Sequence, residues 1–369
     1  MTYQVATLRG DGIGPEIVDE AVKALRAAQE VVPGLDLEFT FLAAGADHYA
    51  AHAEVAPDST WQALHEADAI LMGSMGHPDI RMPDGTEVQG HFIVNVRKKL
   101  HLYAGVRPIK FYPGARGVDP AQKDVDLVLV RESTEGLFAS FGGGAEIEDE
   151  VYSDTMIVTR RGTERVARYA FGLARARSGR PLDGARTVTC VDKANIFRSL
   201  AFFRKVFDEV AAEHGDIRSD HALVDSFSML LMQHPERYDV LVTENMFGDI
   251  LSDLAAALVG GLGLAPSGDI GDRHAMFQPA HGSAPDIAGQ DRANPVATIV
   301  SARMMLDWLA RRHPDDAALP AAADLVERAV VETMEAGDRT VDLGGSLTCS
   351  GFGDAVAATV RRLGAGTAA

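Results

Sequence analysis

The chain has 369 residues, 46% of them hydrophobic, and its 53 Asp and Glu outweigh 35 Lys and Arg to give a net charge of −18. That length allows about two domains around a sizeable core, and the acidic balance speaks against nucleic acid or an anionic membrane as the main partner, leaving small anions to local clusters of arginine. Cys190 and Cys349 are the two cysteines and suggest neither a disulfide framework nor a zinc ribbon; with no targeting signal and no apolar run long enough to cross a bilayer, a cytoplasmic protein is expected.

Short, almost unbroken apolar runs recur at 4–8 (QVATL), 69–74 (AILMGS), 126–130 (DLVLV), 187–191 (TVTCV) and 239–243 (DVLVT). Strands covered on both faces read this way, so these are expected to be central parallel strands. Between them, a 3.6-residue periodicity predicts helices opening at Pro15 and over 163–177, 197–213 and 295–312. The alternation predicts a layered α/β fold. The stretch 142–160 (GGGAEIEDEVYSDTMIVTR) departs from the pattern, a loop followed by an alternating strand, and is expected to form a projecting arm.

In chain order, the first stretch with chemical content is RGDGIGPE at 9–16. It joins a strand to a helix, where bare amides can bind phosphate, but its glycines are spaced G-x-G-x-G, and a tight structural turn is at least as good a reading. Arg97, Arg107 and Arg131 follow; the last two are expected at the C-terminal ends of apolar strands, where open α/β sheets bind ligands, and three converging guanidiniums would suit a di-acid. Lys193 ends another strand, with a proton-transfer role set against a plain ion pair with Asp192. Asp225 follows a further run, and Asp249 and Asp253 sit four apart in TENMFGDILSDLAAALVGG, 243–261. Acids spaced i, i+4 face one way and suit a hard divalent cation, although two such acids alone are more often a complement to a helix dipole. In the loop 276–295, an Asp could hold a ribose diol.

Together these stretches resemble, in order and over nearly the whole chain, the β-decarboxylating dehydrogenases that act on isopropylmalate, isocitrate, homoisocitrate and D-malate or tartrate. The match is carried by GDGIGPE (10–16), RKKLHLYAGVRP (97–108), VRESTEG (130–136), VDKANIF (191–197), VDSFSM (224–229), TENMFGDILSD (243–253) and HGSAPDIAG (281–289). The resemblance implies an isopropylmalate-dehydrogenase-like two-domain α/β fold with a large mixed, mainly parallel sheet, distinct from the Rossmann type. Its first, cofactor-side domain would be 1–108 with 258–369, and its second, carrying the dimer contacts and metal site, 109–257. It further implies Arg97, Arg107 and Arg131 as the clamp on the substrate carboxylates, Asp225, Asp249 and Asp253 as ligands of Mg²⁺ or Mn²⁺, and Lys193 with Asp225 as catalytic groups. Lys193 and Asp225 would be supplied by the neighbouring subunit of a homodimer. His281, Gly282, Ser283, Ala284, Asp286, Ile287, Asn294 and Asn195 would bind the cofactor, and the pair Asp286 and Ile287 implies NAD rather than NADP.

One departure stands out. Seven residues after Arg131, where the family has a Tyr that protonates C3 after decarboxylation, this chain has Phe138, and a phenyl ring has no proton to give; Tyr152 is a conceivable replacement. Smaller departures are Gln278, where the family often has Glu, and 290–292 (QDR) in place of its Lys-Gly pair. Substrate choice in the family is read from the helix before Arg97, here Gly90, Ile93 and Val94, whose apolar character fits a 3-isopropylmalate-like substrate; D-malate, tartrate and homoisocitrate are the alternatives. A silent regulatory or binding paralogue is the reading from another class. A Rossmann-type hydroxyacid dehydrogenase is disfavoured by the absent G-x-G-x-x-G.

Overall fold

The computed structural model describes residues 1–118 and 124–367. From the N-terminus come β1 (Tyr3–Leu8), α1 (Gly14–Val31), β2 (Leu37–Leu42), α2 (Ala46–His52), α3 (Asp58–Glu66), β3 (Ala69–Met72), α4 (Val88–Lys99) and β4 (Ala104–Lys110). The middle of the chain gives β5 (Asp126–Glu132), β6 (Ala145–Ile147), β7 (Val151–Ser153), α5 (Arg160–Ala176), β8 (Thr187–Asp192), α6 (Arg198–Ala211), β9 (Arg218–Leu223), α7 (Val224–Gln233), β10 (Val240–Thr243) and α8 (Asn245–Leu258). It closes with β11 (Pro266–Ile270), β12 (Ala275–Pro279), α9 (Val296–Arg312), α10 (Ala318–Glu335) and α11 (Cys349–Thr367).

A ten-stranded sheet runs β2-β1-β3-β12-β11-β4-β5-β10-β8-β9. Neighbours from β2 to β12 are parallel, as are those from β5 to β9, while β11 and β4 pair antiparallel with everything beside them. The sheet is therefore mixed but mainly parallel, as expected, with two parallel blocks joined through an antiparallel centre. All five apolar runs became strands and the periodic stretches became α1, α5, α6 and α9.

Side chains alternate faces along a strand, and this sheet is covered on both. Val128 and Val130 of β5 enter the large core with α5, α9 and α10 residues, whereas Leu127 and Leu129 enter a second core with Phe227, Leu231 and Leu251 from α7 and α8. Odd-numbered β5 residues thus face α8, and Arg131 continues that row. Arg107 shares its β4 face with Ile109, a member of the same second core. The expected strand-end position holds for Arg131 but not for Arg107: Arg107 lies mid-strand, opposite Leu129, because β4 runs antiparallel to β5. Strand β9 departs from expectation too. It is an edge strand with four exposed residues, RSDH, so no apolar run marks it, and Asp225 belongs to the first turn of α7. The 142–160 segment does project: β6 and β7 form an antiparallel ribbon of their own, and Ile147, Val151 and Tyr152 lie exposed on it.

Candidate active site

The glycine-rich first turn is a structural joint. Gly10 and Gly12 adopt left-handed φ values of 74° and 60°, and a Cβ on either would come within 2.0 Å of the Ser74 carbonyl oxygen or 2.1 Å of the Ser283 one. Three of the turn's amides are in use: Asp11 N–H donates to Ser74 O, Ile13 N–H to Ser283 O and Gly14 N–H to Asp11 O. Buried Asp11 accepts from the backbone N–H of Gly76, Ala46 and Asp47 at 2.7, 2.9 and 3.0 Å. The turn fixes the loops that line the cleft.

That cleft is a cavity of about 320 Å³, with Arg97, Arg107, Arg131, Ile93, Val94, Phe138, Asp249, His281 and Gly282 in its wall. The clamp arginines do converge, and all three are buried. Arg97 Nη2 donates to Asp269 Oδ2 at 3.0 Å. Arg131 Nε donates to Asn245 Oδ1 at 2.8 Å and its Nη1 to Asp249. Arg107 makes no hydrogen bond or ion pair among the described residues, and its Nε is fully enclosed. Burial lowers the Arg107 pKa, and burial, with Arg97 next, brings Arg131 down to about 10. Three buried cations face one buried carboxylate, Asp269, and one half-exposed carboxylate, Asp249. Such an excess is costly unless an anion enters.

Helix α8 supplies Asp249 for identifiable local reasons. Glu244 caps it, accepting from Phe247 and Met246 N–H at 2.7 and 3.1 Å, while Asn245 ties it to the Glu135 carbonyl at 2.9 Å. Gly248 lets the helix lie against Arg131, since a Cβ there would come 2.6 Å from Arg131 Cγ. Asp249, Ile250 and Asp253 form the exposed stripe of an otherwise apolar helix. Desolvation, then Asp249, raises the Asp253 pKa, against the pull of Arg107 and Arg131.

The remaining acid and the lysine are elsewhere. Lys193 Nζ donates to Asp225 Oδ1 at 2.6 Å, outside the cleft, and that bond holds the Asp225 carboxyl below its ordinary range. The alternative partner of Lys193 is taken: Asp192 accepts from Arg204 at 2.7 and 2.8 Å. Asn195 lines a separate depression near Lys193. Among the described residues, the acid group that does close to ligand distance is Glu16, Asp291 and Cys349, so one chain does not assemble Asp225 with Asp249 and Asp253. The two α8 carboxylates still suit a hard cation: both oxygen donors face solvent beside the cavity.

His281 and Gly282 also line a second cavity of about 280 Å³, with Ala284, Ile287 and Asn294, so the two spaces meet. Burial lowers the His281 pKa, and the ring presents an enclosed Nε2 without a hydrogen-bond partner among the described residues, which fits an incoming hydrogen-bonding ligand. Asp286 is exposed on the turn 285–287, whereas Ser283 is buried, its carbonyl spent on Ile13. Several residues here, or in the case of Gln278 its role, were not expected from sequence. Asp269 and Gln278, joined at 3.1 Å, hold Arg97; Asp342 accepts from Asn294 at 2.9 Å; and the Phe141 ring fills the space over Gly90, 3.1 Å from where a Cβ would stand. Tyr152 stays on the ribbon, bonded to Glu146 and Asp149 at 3.0 and 2.7 Å.

A family model described as isocitrate/isopropylmalate dehydrogenase matches residues 4–356. The chain belongs to this family. It is 41% identical over 360 residues to a 3-isopropylmalate/3-methylmalate dehydrogenase of Methanocaldococcus jannaschii, covering 97% of this chain and 99% of that one. It is 40% identical over 370 residues to an isocitrate/homoisocitrate dehydrogenase of Thermus thermophilus, covering 98% and 100%. Among solved structures, isocitrate dehydrogenase from Methylococcus capsulatus superposes with a TM-score of 0.85 at 36% identity, covering 97% of this chain and 99% of that one. Family membership places this chain among the dehydrogenases of the isocitrate/isopropylmalate type, and the fold is the isopropylmalate-dehydrogenase-like one.

Proposed function

We propose that the protein oxidises a 3-isopropylmalate-like 2-hydroxy di-acid with NAD⁺, in the presence of Mg²⁺ or Mn²⁺, and releases carbon dioxide. The observation that carries this reading is Arg107, a buried guanidinium with no hydrogen bond or ion pair among the described residues, which shares with Arg97 and Arg131 a cavity whose remaining wall includes Ile93 and Val94. Guanidinium forks hold the two carboxylates of a di-acid, and the aliphatic pair on α4 accepts an alkyl group at C3. Phe138, its ring centroid 5.1 Å from Arg131 Cζ, covers the clamp from water.

A divalent cation on Asp249 and Asp253, completed by Asp225 of a second copy, would polarise the C2 oxygen, and NAD⁺ would accept the hydride. Lys193, also from that copy, takes the hydroxyl proton. The cofactor would sit along His281, Gly282, Ala284 and Ile287, with Asn294 on its adenine side and Asp286 at the ribose. Phe138 cannot protonate C3; Ser74, its hydroxyl enclosed and without a hydrogen-bond partner among the described residues, is the hydroxyl-bearing residue of the cavity wall. The homodimer is supported by the position of Lys193 and Asp225 outside their own chain's cleft and by exposed apolar side chains close by in sequence, Ile196, Phe197 and Met229, and on the ribbon. We assign 1–108 with 258–369 to the cofactor-side lobe and 109–257 to the dimer-forming lobe. A cytoplasmic setting agrees with two free, buried cysteines.

Asp249→Asn tests the assignment: it should abolish Mn²⁺-dependent NADH formation with an unchanged circular dichroism spectrum, and retained turnover would overturn it. Phe138 favours a second reading, a subunit that binds a di-acid without turning it over; equilibrium binding of 3-isopropylmalate with no NADH would support that reading.

A further inference from the structure

Apart from the clamp, where α3, α4 and α5 meet the β11–β12 turn, lies a second cationic site. The start of α5, the end of α3, the turn from α4 into β4 and the turn from β11 to β12 enclose a cavity of about 450 Å³. Four basic side chains line it, Lys99, Arg161, Arg165 and Arg273, against a single carboxylate in the lining, Asp272. That carboxylate is engaged, accepting from the Tyr103 hydroxyl at 2.9 Å.

The cations are largely uncompensated. Arg161 and Arg273 are exposed and have no ion pair among the described residues. Lys99 Nζ stands 3.8 Å from the centroid of the Trp61 ring, a contact that leaves its charge in place. Arg165 pairs with Glu132 through Nη2 at 3.4 Å, donates to Thr134 and lies over the Tyr103 ring at 4.7 Å, while its enclosed Nε has no hydrogen-bond partner among the described residues. His65 and His274 meet edge to face at 5.5 Å in the same wall. The His274 pKa is lowered, by desolvation first and then by His65, Arg273, Arg312 and His101, all positive or able to become so.

In a chain of net charge −18, such a concentration of positive charge is a local inversion of sign, and it selects for anions. Arg161 and Arg165 stand one turn apart near the N-terminal end of α5, where the helix dipole adds to the attraction. Single surface cations would be satisfied by solvent and salt; a concave site that holds four of them against Asp272 and the Glu132 paired with Arg165 keeps an excess of about two positive charges, which suits a multivalent anion.

We propose that this cavity binds a small multiply charged anion, of the polyphosphate or polycarboxylate type, which bridges α5 to the β11–β12 turn. The inference is independent of the catalytic reading, since none of its residues lines the cleft.

The test is isothermal titration calorimetry of the full chain at low ionic strength with sodium tripolyphosphate and, separately, with citrate. Wild type should bind at least one of them, and Arg161→Glu with Arg273→Glu should weaken that binding about tenfold or more, a change of about 1.4 kcal/mol. Arg161→Gln with Arg273→Gln, which reverses no charge, should give an intermediate loss and guards against misfolding. Binding of tripolyphosphate alone would identify phosphate chemistry, and binding of citrate alone would identify carboxylate chemistry; either supports the site. No heat with either probe in wild type, or undiminished affinity in the folded variants, would overturn it.

Discussion

Asp269→Asn removes the one fully buried carboxylate that faces the arginine clamp. Asp269 is wholly buried and lies 3.0 Å from Arg97 Nη2; at an effective dielectric constant near 20, a unit pair at that distance attracts by about 5 kcal/mol. The amide keeps the shape and one acceptor for Arg97, so part of this survives, but Arg97 and Arg107 lose their common counter-charge. Breaking a buried pair by neutralising one member costs about 3–5 kcal/mol, and the retained acceptor places the expected loss near the lower end. Urea unfolding followed by circular dichroism reads this as a lower midpoint at unchanged slope. Because the loss comes from excess positive charge in the cleft, a saturating di-acid should restore more stability to the variant than it adds to wild type. A loss below about 1 kcal/mol, or equal stabilisation of both proteins by the di-acid, would refute the charge argument.

Gly248→Ala, which in an exposed helix would gain roughly 0.5–1 kcal/mol, should here cost about 1–3 kcal/mol and weaken di-acid binding, because the new Cβ would stand 2.6 Å from Arg131 Cγ; thermal unfolding and calorimetry check both. His281 titrates below its ordinary 6.5 in the folded chain, so the unfolded chain binds a proton first and wild type loses stability as pH falls below about 6.5. His281→Asn lacks that proton uptake and should gain on wild type between pH 7 and 5 in paired melting curves. A constant difference across that range would show that the ring is not held neutral.

The parts of this molecule that repeat a simple pattern were legible in its sequence. Five buried strands announced themselves as apolar runs, and α1, α5, α6 and α9 by period. What escaped was polar chemistry inside the sheet. Strand β11 reads PSGDI, buried throughout, and its Asp269 breaks the apolar run that would have marked the strand; the same interruption is the signal that could have exposed Asp269, since a lone acid in a short buried segment needs a cation. Arg107 was placed at a strand end because nothing in a single strand reveals that its neighbour is antiparallel. Edge strand β9 presents RSDH to solvent and so shows no hydrophobic pattern. At the site, the arginine clamp, Ile93, Val94, Phe138 and Asp249 meet in one wall, and Asp253 lies beside them on α8. Lys193, Asn195 and Asp225 do not; in the proposed homodimer they would act in the cleft of the neighbouring chain. The filling of Gly90's space by Phe141 depends on a loop whose path no local propensity sets.

The most direct test of the account is NAD⁺ reduction with Mn²⁺ and 3-isopropylmalate, with NADH and carbon dioxide recorded together and D-malate, the tartrate isomers, isocitrate and homoisocitrate run beside it. The account predicts metal-dependent turnover of 3-isopropylmalate with equal release of NADH and carbon dioxide. NADH without carbon dioxide would show that Phe138 marks an enzyme that stops at oxidation, and silence across the whole panel would contradict the proposed activity.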